Sequence, residues 1–357
     1  MSLAQRWAVR VDSSMRLGAG HLMRCLTLAQ QVRRRGATVE FICADFSDHM
    51  GALVQQQGFA LHMVQVSKGT GGAQLFDWSI DASCTSDIAG GQPWDWLVVD
   101  HYGIDARWEA ALRLQARHIL VIDDLADRPH VCEVVLDQNY YPHQEHRYEE
   151  LVPPHCRKLL GPRFALLRRE FTEARARLSR HIGDVRRILV NFGGADEPNI
   201  TALALTAIRL LDRKDIAIEV VISATTTHRA AIEAQVSSLP TARLHVQTSR
   251  MAELIVEADL AIGACGSITW ERCCLGLPTL ALVLADNQRN GAAALDKAGI
   301  IVNLGEACNM TAKTLAREIG ALIADKAVRA ALSKHSLDLG IGTGPDTIDL
   351  LMDPNPK

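Results

Sequence analysis

Residues 7–36 read "WAVRVDSSMRLGAGHLMRCLTLAQQVRRRG" and combine three patterns in one unit. The apolar run 7–11 predicts a strand, and a polar loop with two glycines follows it. After His21, apolar side chains recur at the i, i+3, i+4, i+7 spacing of an amphipathic helix, which Gly36 ends. A strand that leads through a glycine loop into a helix is the repeating unit of parallel α/β folds.

Short apolar runs alternate with longer helical patterns along the rest of the chain, which is typical of βαβ units. The predicted strands are 7–11, 39–43, 96–100, 118–123 and 134–137 in the first half, and 187–191, 216–222, 244–247, 260–263, 279–284 and 300–303 in the second. A weak internal repeat of strand, glycine loop and helix at residues 186–205 supports two halves of the same kind.

We therefore predict an α/β fold of two Rossmann-like domains that face each other across a cleft. The predicted boundaries are 1–150 for the N-terminal domain, 151–183 for the connection and 184–357 for the C-terminal domain. The proline-rich, aperiodic segment 139–164 marks the change between them. Open α/β sheets bind ligands beyond the carboxyl ends of their strands, so we expect the site there.

The composition is that of an ordinary globular protein, with 48% apolar and 22% charged residues. A net charge of -3 gives no general attraction for nucleic acid or an anionic membrane. The nine cysteines are odd in number and form no C-x-x-C pair, which favours reduced thiols in a cytoplasm over disulfides or a zinc site. We expect a cytoplasmic monomer that binds a small molecule, without metal or cofactor.

His21 lies at the predicted start of the first helix, where free backbone N–H groups and the helix dipole disfavour an imidazolium. A neutral imidazole in this place suits a general base. The neighbours Arg10, Asp12 and Ser13 are costly to bury without partners, which strengthens this interpretation over one in which His21 only caps or packs. Asp12 either orients the imidazole or pairs with Arg10 or Arg16.

A nicotinamide-binding fingerprint fits this loop poorly. Gly18 and Gly20 supply its first two glycines, and Asp45 follows the second strand, but Met23 occupies the third glycine position. The loop is also longer than the tight turn of that motif. We therefore expect no nicotinamide cofactor.

Two glycine-bearing loops of the second half are candidates for phosphate binding. In "NFGGADEPN", Gly193 and Gly194 either let the backbone approach a phosphate or form a tight turn. In "GSITWERC", Ser267 and Thr269 open a helix, and their hydroxyls bond either a phosphate or free helix amides. Glu271, one turn later, either accepts the two hydroxyls of a ribose or stabilises the helix dipole.

Seven blocks of the sequence together resemble one family. They are "RVDSS...GAGHLMRCLTLA", "VVDHYGIDARWE", "LDQNY", "LLGPRFALLRREF", "NFGGAD", "GSITWERCCLGLPTLAL" and "ADNQ", in this order from Arg10 to about Gln288. In this combination the chain resembles the UDP-2,4-diacetamido-2,4,6-trideoxy-β-L-altropyranose hydrolases of pseudaminic acid biosynthesis. Cys265 departs from the pattern of that family, which has a glycine at this position.

The resemblance implies a GT-B architecture, similar to the peptidoglycan N-acetylglucosaminyltransferase, with the nucleotide in the C-terminal domain. It implies hydrolysis of the sugar-nucleotide bond to UDP and the free sugar, a step toward flagellin glycosylation. His21 matches the family's catalytic histidine, and the corresponding hypothesis is that water attacks the anomeric carbon with inversion. The rivals are a GT-B glycosyltransferase, in which an acceptor hydroxyl replaces water, and a non-catalytic sugar-nucleotide-binding module.

The sequence thus yields a defined set of candidate residues. His21 and Asp12 are the predicted catalytic residues. The predicted substrate-binding residues are Arg10, Ser13, Gly18, Gly20, Asp100, His101, Tyr102, Gly193, Gly194, Gly266, Ser267, Ile268, Thr269, Glu271, Asn287 and Gln288. The trio Asp100 to Tyr102 ends a strand and either meets the sugar or packs within its loop. The helix N-termini behind Gly193 and Ser267 are expected to stabilise the diphosphate.

Overall fold

A computed structural model describes residues 4–14, 20–65, 67–68, 74–194, 196, 198–344 and 347–352. The chain divides into two compact units. The first contains Met1–Asn139, His143–Leu166 and Pro345–Lys357, and the second contains Tyr140–Pro142 and Leu167–Gly344. Residues 151–166, which the sequence assigned to the connection, are thus part of the first unit.

The first unit is built on a seven-stranded sheet of order β3-β2-β1-β6-β7-β8-β9, in which all pairs are parallel. Its strands are β1 Arg6–Val11, β2 Thr38–Ala44, β3 Ala60–Val64, β6 Trp94–Asp100, β7 Ala116–Ile122, β8 Val134–Asp137 and β9 Arg157–Leu160; β4 Ser67–Lys68 and β5 Gln74–Leu75 form a separate antiparallel pair. Its helices include α1 Gly20–Arg34, α2 Gly51–Gln56, α3 Trp78–Ala89 and α4 Ala106–Ala111.

The second unit is built on a six-stranded parallel sheet of order β12-β11-β10-β13-β14-β15. Its strands are β10 Arg187–Asn191, β11 Ala217–Ile222, β12 Ala242–Val246, β13 Leu260–Ala264, β14 Thr279–Val283 and β15 Val302–Glu306. Its helices are α5 Arg169–Ala176, α6 Ile200–Leu211, α7 Arg229–Ser237, α8 Met251–Glu257, α9 Ile268–Cys274, α10 Arg289–Lys297, α11 Ala312–Ala324 and α12 Lys326–Asp338.

The apolar patterns explain these elements. The central strands are buried along nearly their whole length, as expected for parallel strands with helices on both faces. In α1, the predicted apolar face at Leu22, Cys25, Leu26, Ala29 and Val32 is buried in the core of the first unit. All eleven strands predicted from the sequence overlap observed strands.

The C-terminal helix α13, Thr347–Met352, returns to the first unit. Ile348 and Leu351 join the same core as β1 and α1, and Thr347 donates a hydrogen bond to the carbonyl of Phe164 at 3.1 Å. The apolar side chains of this helix therefore anchor the end of the chain in the first unit, although the sequence placed all residues from 184 onward in the second.

Each sheet has one point at which the strand order reverses direction, between β1 and β6 in the first and between β10 and β13 in the second. Val11 pairs with Asp100 at the first point, and Asn191 pairs with Gly263 at the second. The loops that leave these strand ends are therefore neighbours.

Within the described ranges, no helix is long and apolar enough to cross a membrane.

Candidate functional site

His21 and Asp100 meet at the reversal point of the first sheet. His21 is the second residue of α1, and Asp100 ends β6. The Nδ1 of His21 lies 2.6 Å from Oδ1 of Asp100. Arg24, one helical turn after His21, donates from Nε to Oδ2 and from Nη2 to Oδ1 of Asp100, both at 2.6 Å. The side chain of Asp100 is 1% exposed and that of His21 is 18% exposed.

The protonation of this group follows from the contacts. Burial alone would raise the pKa of Asp100, but the Arg24 charge and the His21 hydrogen bond hold that pKa well below its usual range. A carboxylate only accepts, so Nδ1 of His21 carries the shared proton. The Nε2 of a neutral ring then keeps its lone pair, and none of the described residues forms a hydrogen bond to it.

Tyr102 supports the imidazole from one side. Its ring stands edge-on to that of His21, with the centroids 4.7 Å apart, and both side chains are half-buried. Gly20, the first residue of α1, is exposed. Gly18 and Arg16, which the sequence also singled out, lie outside the described residues.

Asp12 forms no hydrogen bond or ion pair with His21. Its carboxylate accepts hydrogen bonds from Arg10, and its Oδ2 lies 3.0 Å from Nε2 of His101. Burial alone would raise the pKa of Asp12, but Arg10 and His101 lower it. The structure thus contains the Asp12–Arg10 pair that the sequence left open, and the carboxylate offsets the cost of burying the Arg10 guanidinium. The carboxylate that orients His21 is Asp100.

Several residues predicted to bind substrate are instead buried, or already hydrogen-bonded, within the first unit. Arg10 is 0% exposed and also donates to Asp81 at 2.6–3.2 Å. Ser13 is 3% exposed. Both ring nitrogens of His101 are engaged, since Nδ1 accepts the backbone N–H of Gly103 at 3.0 Å. Asp100 is likewise enclosed, so we reassign it from sugar contact to the orientation of His21.

Sequence reasoning missed Arg24. The signal was its position three residues after His21, which places both side chains on one face of α1.

The first glycine loop of the second unit is not followed by the free helix N-terminus that the sequence predicted. Gly193 has φ of +84°, a backbone conformation that favours glycine, and Gly194 is exposed. The carboxylate of Asp196, however, accepts the N–H groups of Ile200 at 2.7 Å and Thr201 at 2.8 Å. The N-terminus of α6 is therefore closed by an internal carboxylate and does not offer these amides to a diphosphate.

The second glycine loop leads from β13 into α9. Ser267 is exposed, its side chain caps no helix amide, and Ile268 is half-buried. Gly266 lies beside Gln288, whose Nε2 is 3.7 Å from the position a Cβ would take on the glycine. Thr269 is 1% exposed, so its predicted hydroxyl contact with a ligand is not available.

Glu271 is the carboxylate of this loop region. Its Oε1 accepts a hydrogen bond from Nη2 of Arg168 at 3.1 Å, and its side chain is 17% exposed. Burial raises the pKa of Glu271, and the charge of Arg168 opposes that shift. The sequence had assigned no role to Arg168. Trp270 is 5% exposed and belongs to the core, and Asn287 is exposed.

No group of three or more potential metal ligands occurs among the described residues.

The carboxyl edge of the first sheet contains a further buried acid, Asp137, at the end of β8. Tyr148 lies between two carboxylates, with its hydroxyl 3.0 Å from Asp123 and 3.2 Å from Asp137. Burial raises the pKa of Asp137 to about 7, although the backbone N–H of Asn139 opposes the shift.

We expect Asp137→Asn to flatten the pH dependence of stability. The raised pKa means that the folded chain holds a proton that the unfolded chain releases, from the ordinary value of 3.8 up to about 7. Stability therefore falls as the pH rises through this window, by about 1.4 kcal/mol per pH unit. Asparagine mimics the protonated acid and removes this slope.

Urea unfolding between pH 5 and 8 measures the effect. Five of the six tryptophans lie in the first unit, so fluorescence reports mainly on its unfolding. Asp212→Asn is the control, because Asp212 is exposed and lies in the second unit. Equal slopes for the wild type and Asp137→Asn would contradict the prediction.

No protein-family model matches the chain. The chain is 26% identical over 291 residues to UDP-2,4-diacetamido-2,4,6-trideoxy-β-L-altropyranose hydrolase of Campylobacter jejuni subsp. jejuni serotype O:2. The match covers 81% of the chain and 96% of that hydrolase. The predicted resemblance is confirmed. The Bacillus subtilis spore coat polysaccharide biosynthesis protein SpsG is 29% identical to the chain over 187 residues, 52% of the chain and 53% of SpsG.

Solved structures confirm the predicted fold class of the chain. MurG of Acinetobacter baumannii matches with a TM-score of 0.64 at 17% identity, over 97% of the chain and 98% of MurG. Spinosyn rhamnosyltransferase SpnG matches with a TM-score of 0.62 at 16% identity, over 96% of the chain and 98% of SpnG. Both are GT-B glycosyltransferases, and the likeness at this identity concerns the fold of two Rossmann-like domains.

Proposed function

We propose that the chain hydrolyses UDP-2,4-diacetamido-2,4,6-trideoxy-β-L-altropyranose to UDP and the free sugar, within pseudaminic acid biosynthesis. The His21–Asp100 pair carries the proposal, because the hydrogen bond at Nδ1 leaves Nε2 as a proton acceptor at the carboxyl end of the sheet. The similarity to a hydrolase named for this substrate, over 81% of the chain, supports the choice of substrate.

In the proposed reaction, Nε2 of His21 removes a proton from a water molecule. The water oxygen forms a bond to the anomeric carbon, while the bond from that carbon to the phosphate oxygen breaks. UDP leaves with the electron pair of the broken bond, and the anomeric configuration inverts. Tyr102 contacts the sugar. Glu271 and the loops at Gly193 and Gly266 bind the nucleotide.

Hydrolysis in oxygen-18 water tests this reaction. We expect UDP without label, because attack at carbon leaves the bridging oxygen on the phosphate, and label in the first sugar released. A reducing sugar exchanges its anomeric oxygen with water, so the free sugar incubated in labelled water sets the background. Label in UDP would mean attack at phosphorus and would contradict the proposal.

The GT-B likeness makes a glycosyltransferase the alternative, with an acceptor hydroxyl in place of water. Turnover that requires an added acceptor, and stops in its absence, would favour that alternative. Substrate that returns intact with water and with every acceptor would favour a non-catalytic sugar-nucleotide-binding module.

A further inference from the structure

Arg272 is a buried cation without a carboxylate partner among the described residues. It lies in α9 and is 1% exposed. Its Nη2 donates to the carbonyl of Ala264 and, at 3.2 Å, to the hydroxyl of Thr269. Its Nε and Nη1 are buried and form no hydrogen bond. Such unmatched donors are rare in folded proteins and call for an explanation.

The guanidinium lies at the reversal point of the second sheet. A Cβ on Gly263 would be 2.2 Å from Nη1 of Arg272 and 2.3 Å from the carbonyl oxygen of Asn191. Gly263 and Asn191 are paired residues at the carboxyl ends of β13 and β10. The glycine therefore makes room for the guanidinium at the strand ends from which the Gly193 and Gly266 loops leave.

This position puts the buried positive charge of Arg272 at the strand ends from which both loops leave. Arginine remains protonated even though burial lowers the pKa of Arg272. Other sources of positive charge are weaker here. Asp196 already binds the N-terminal amides of α6, and α9 is short, with only seven residues. Arg168 is already paired, with Glu271 and with Glu170.

We propose that Arg272 is a positioning residue that confers affinity for the diphosphate of a nucleoside diphosphate held by the two glycine loops. The inference rests on the proposed function and assigns the source of the positive charge in that site. An anion above the loops offsets the buried charge, and the bonds to Ala264 and Thr269 hold the second loop in place. Affinity should then grow with the number of phosphates on the ligand.

Calorimetric titration of the full chain with uridine, UMP and UDP tests this. For Arg272→Met, we expect UDP affinity to fall by about tenfold or more, UMP affinity to fall less, and uridine affinity to change by less than about twofold. Arg272→Lys retains the charge and should keep most of the UDP affinity. Arg180→Met is the matched control.

Arg180 is a suitable control because it lies in the same unit and donates to the carbonyls of Ile255, Ala258 and Leu275, beyond the far end of α9. We expect this variant to bind all three ligands as the wild type does. Circular dichroism checks that each variant is folded.

Two results would overturn the inference. An equal loss of uridine and UDP affinity in Arg272→Met would mean that Arg272 only shapes the loop. A loss of UDP affinity in Arg272→Lys as large as in Arg272→Met would mean that charge is not the cause. A wild type that does not bind UDP would instead overturn the nucleotide site of the proposed function.

Discussion

Replacing His21 by glutamine is expected to lower kcat for hydrolysis by about 10³-fold, within the range for loss of a general base. Glutamine is similar in size and can still bond to Asp100, but its amide nitrogen has no basic lone pair. KM should change little, because the substitution removes the proton acceptor at the exposed edge of the ring and removes no group that binds the substrate. Initial rates of UDP release at several substrate concentrations measure both constants.

The first unit offers a matched control for this variant. His62 also pairs with a carboxylate, since its Nε2 lies 2.8 Å from Glu40, but it is on the outermost strand β3. His62→Gln should leave kcat unchanged. If His21→Gln kept more than about a tenth of the wild-type rate, His21 would not be the general base.

Asp100→Asn is expected to lower kcat by about 10²-fold or more. Asparagine has one oxygen acceptor where the carboxylate of Asp100 has two, and the guanidinium of Arg24 competes with the ring of His21 for that oxygen. The amide NH2 then faces Nδ1 of His21, which favours the tautomer with the proton on Nε2 and so removes the lone pair that the reaction requires. The kcat effect should exceed the KM effect, because the substrate does not touch this buried side chain.

Two measurements separate this effect from simple destabilisation. Glu40→Gln removes the carboxylate from the His62–Glu40 pair, which serves as the control, and should leave kcat unchanged. Thermal unfolding of Asp100→Asn shows whether the chain is folded at the assay temperature. A folded Asp100→Asn variant with wild-type kcat would show that Asp100 is structural only.

The sequence alone predicted much of the fold because parallel strands are buried on both faces and appear as continuous apolar runs. It missed β3, "ALHMV", and β9, "RKLL", which lie at the two outer edges of the first sheet and carry polar side chains. It also predicted that His21 opens a helix, since the apolar period of α1 fixes where the helix starts.

The tertiary structure decided which side chains meet. Asp12 is nine residues from His21 and was the natural choice of partner, yet Asp100, 79 residues away, holds the imidazole. The reason is the strand order, which places β6 beside β1 and so brings the two strand ends together. Sequence spacing determines the face of a helix or strand on which a side chain lies. Only the pairing of distant strands determines which charge lies opposite it.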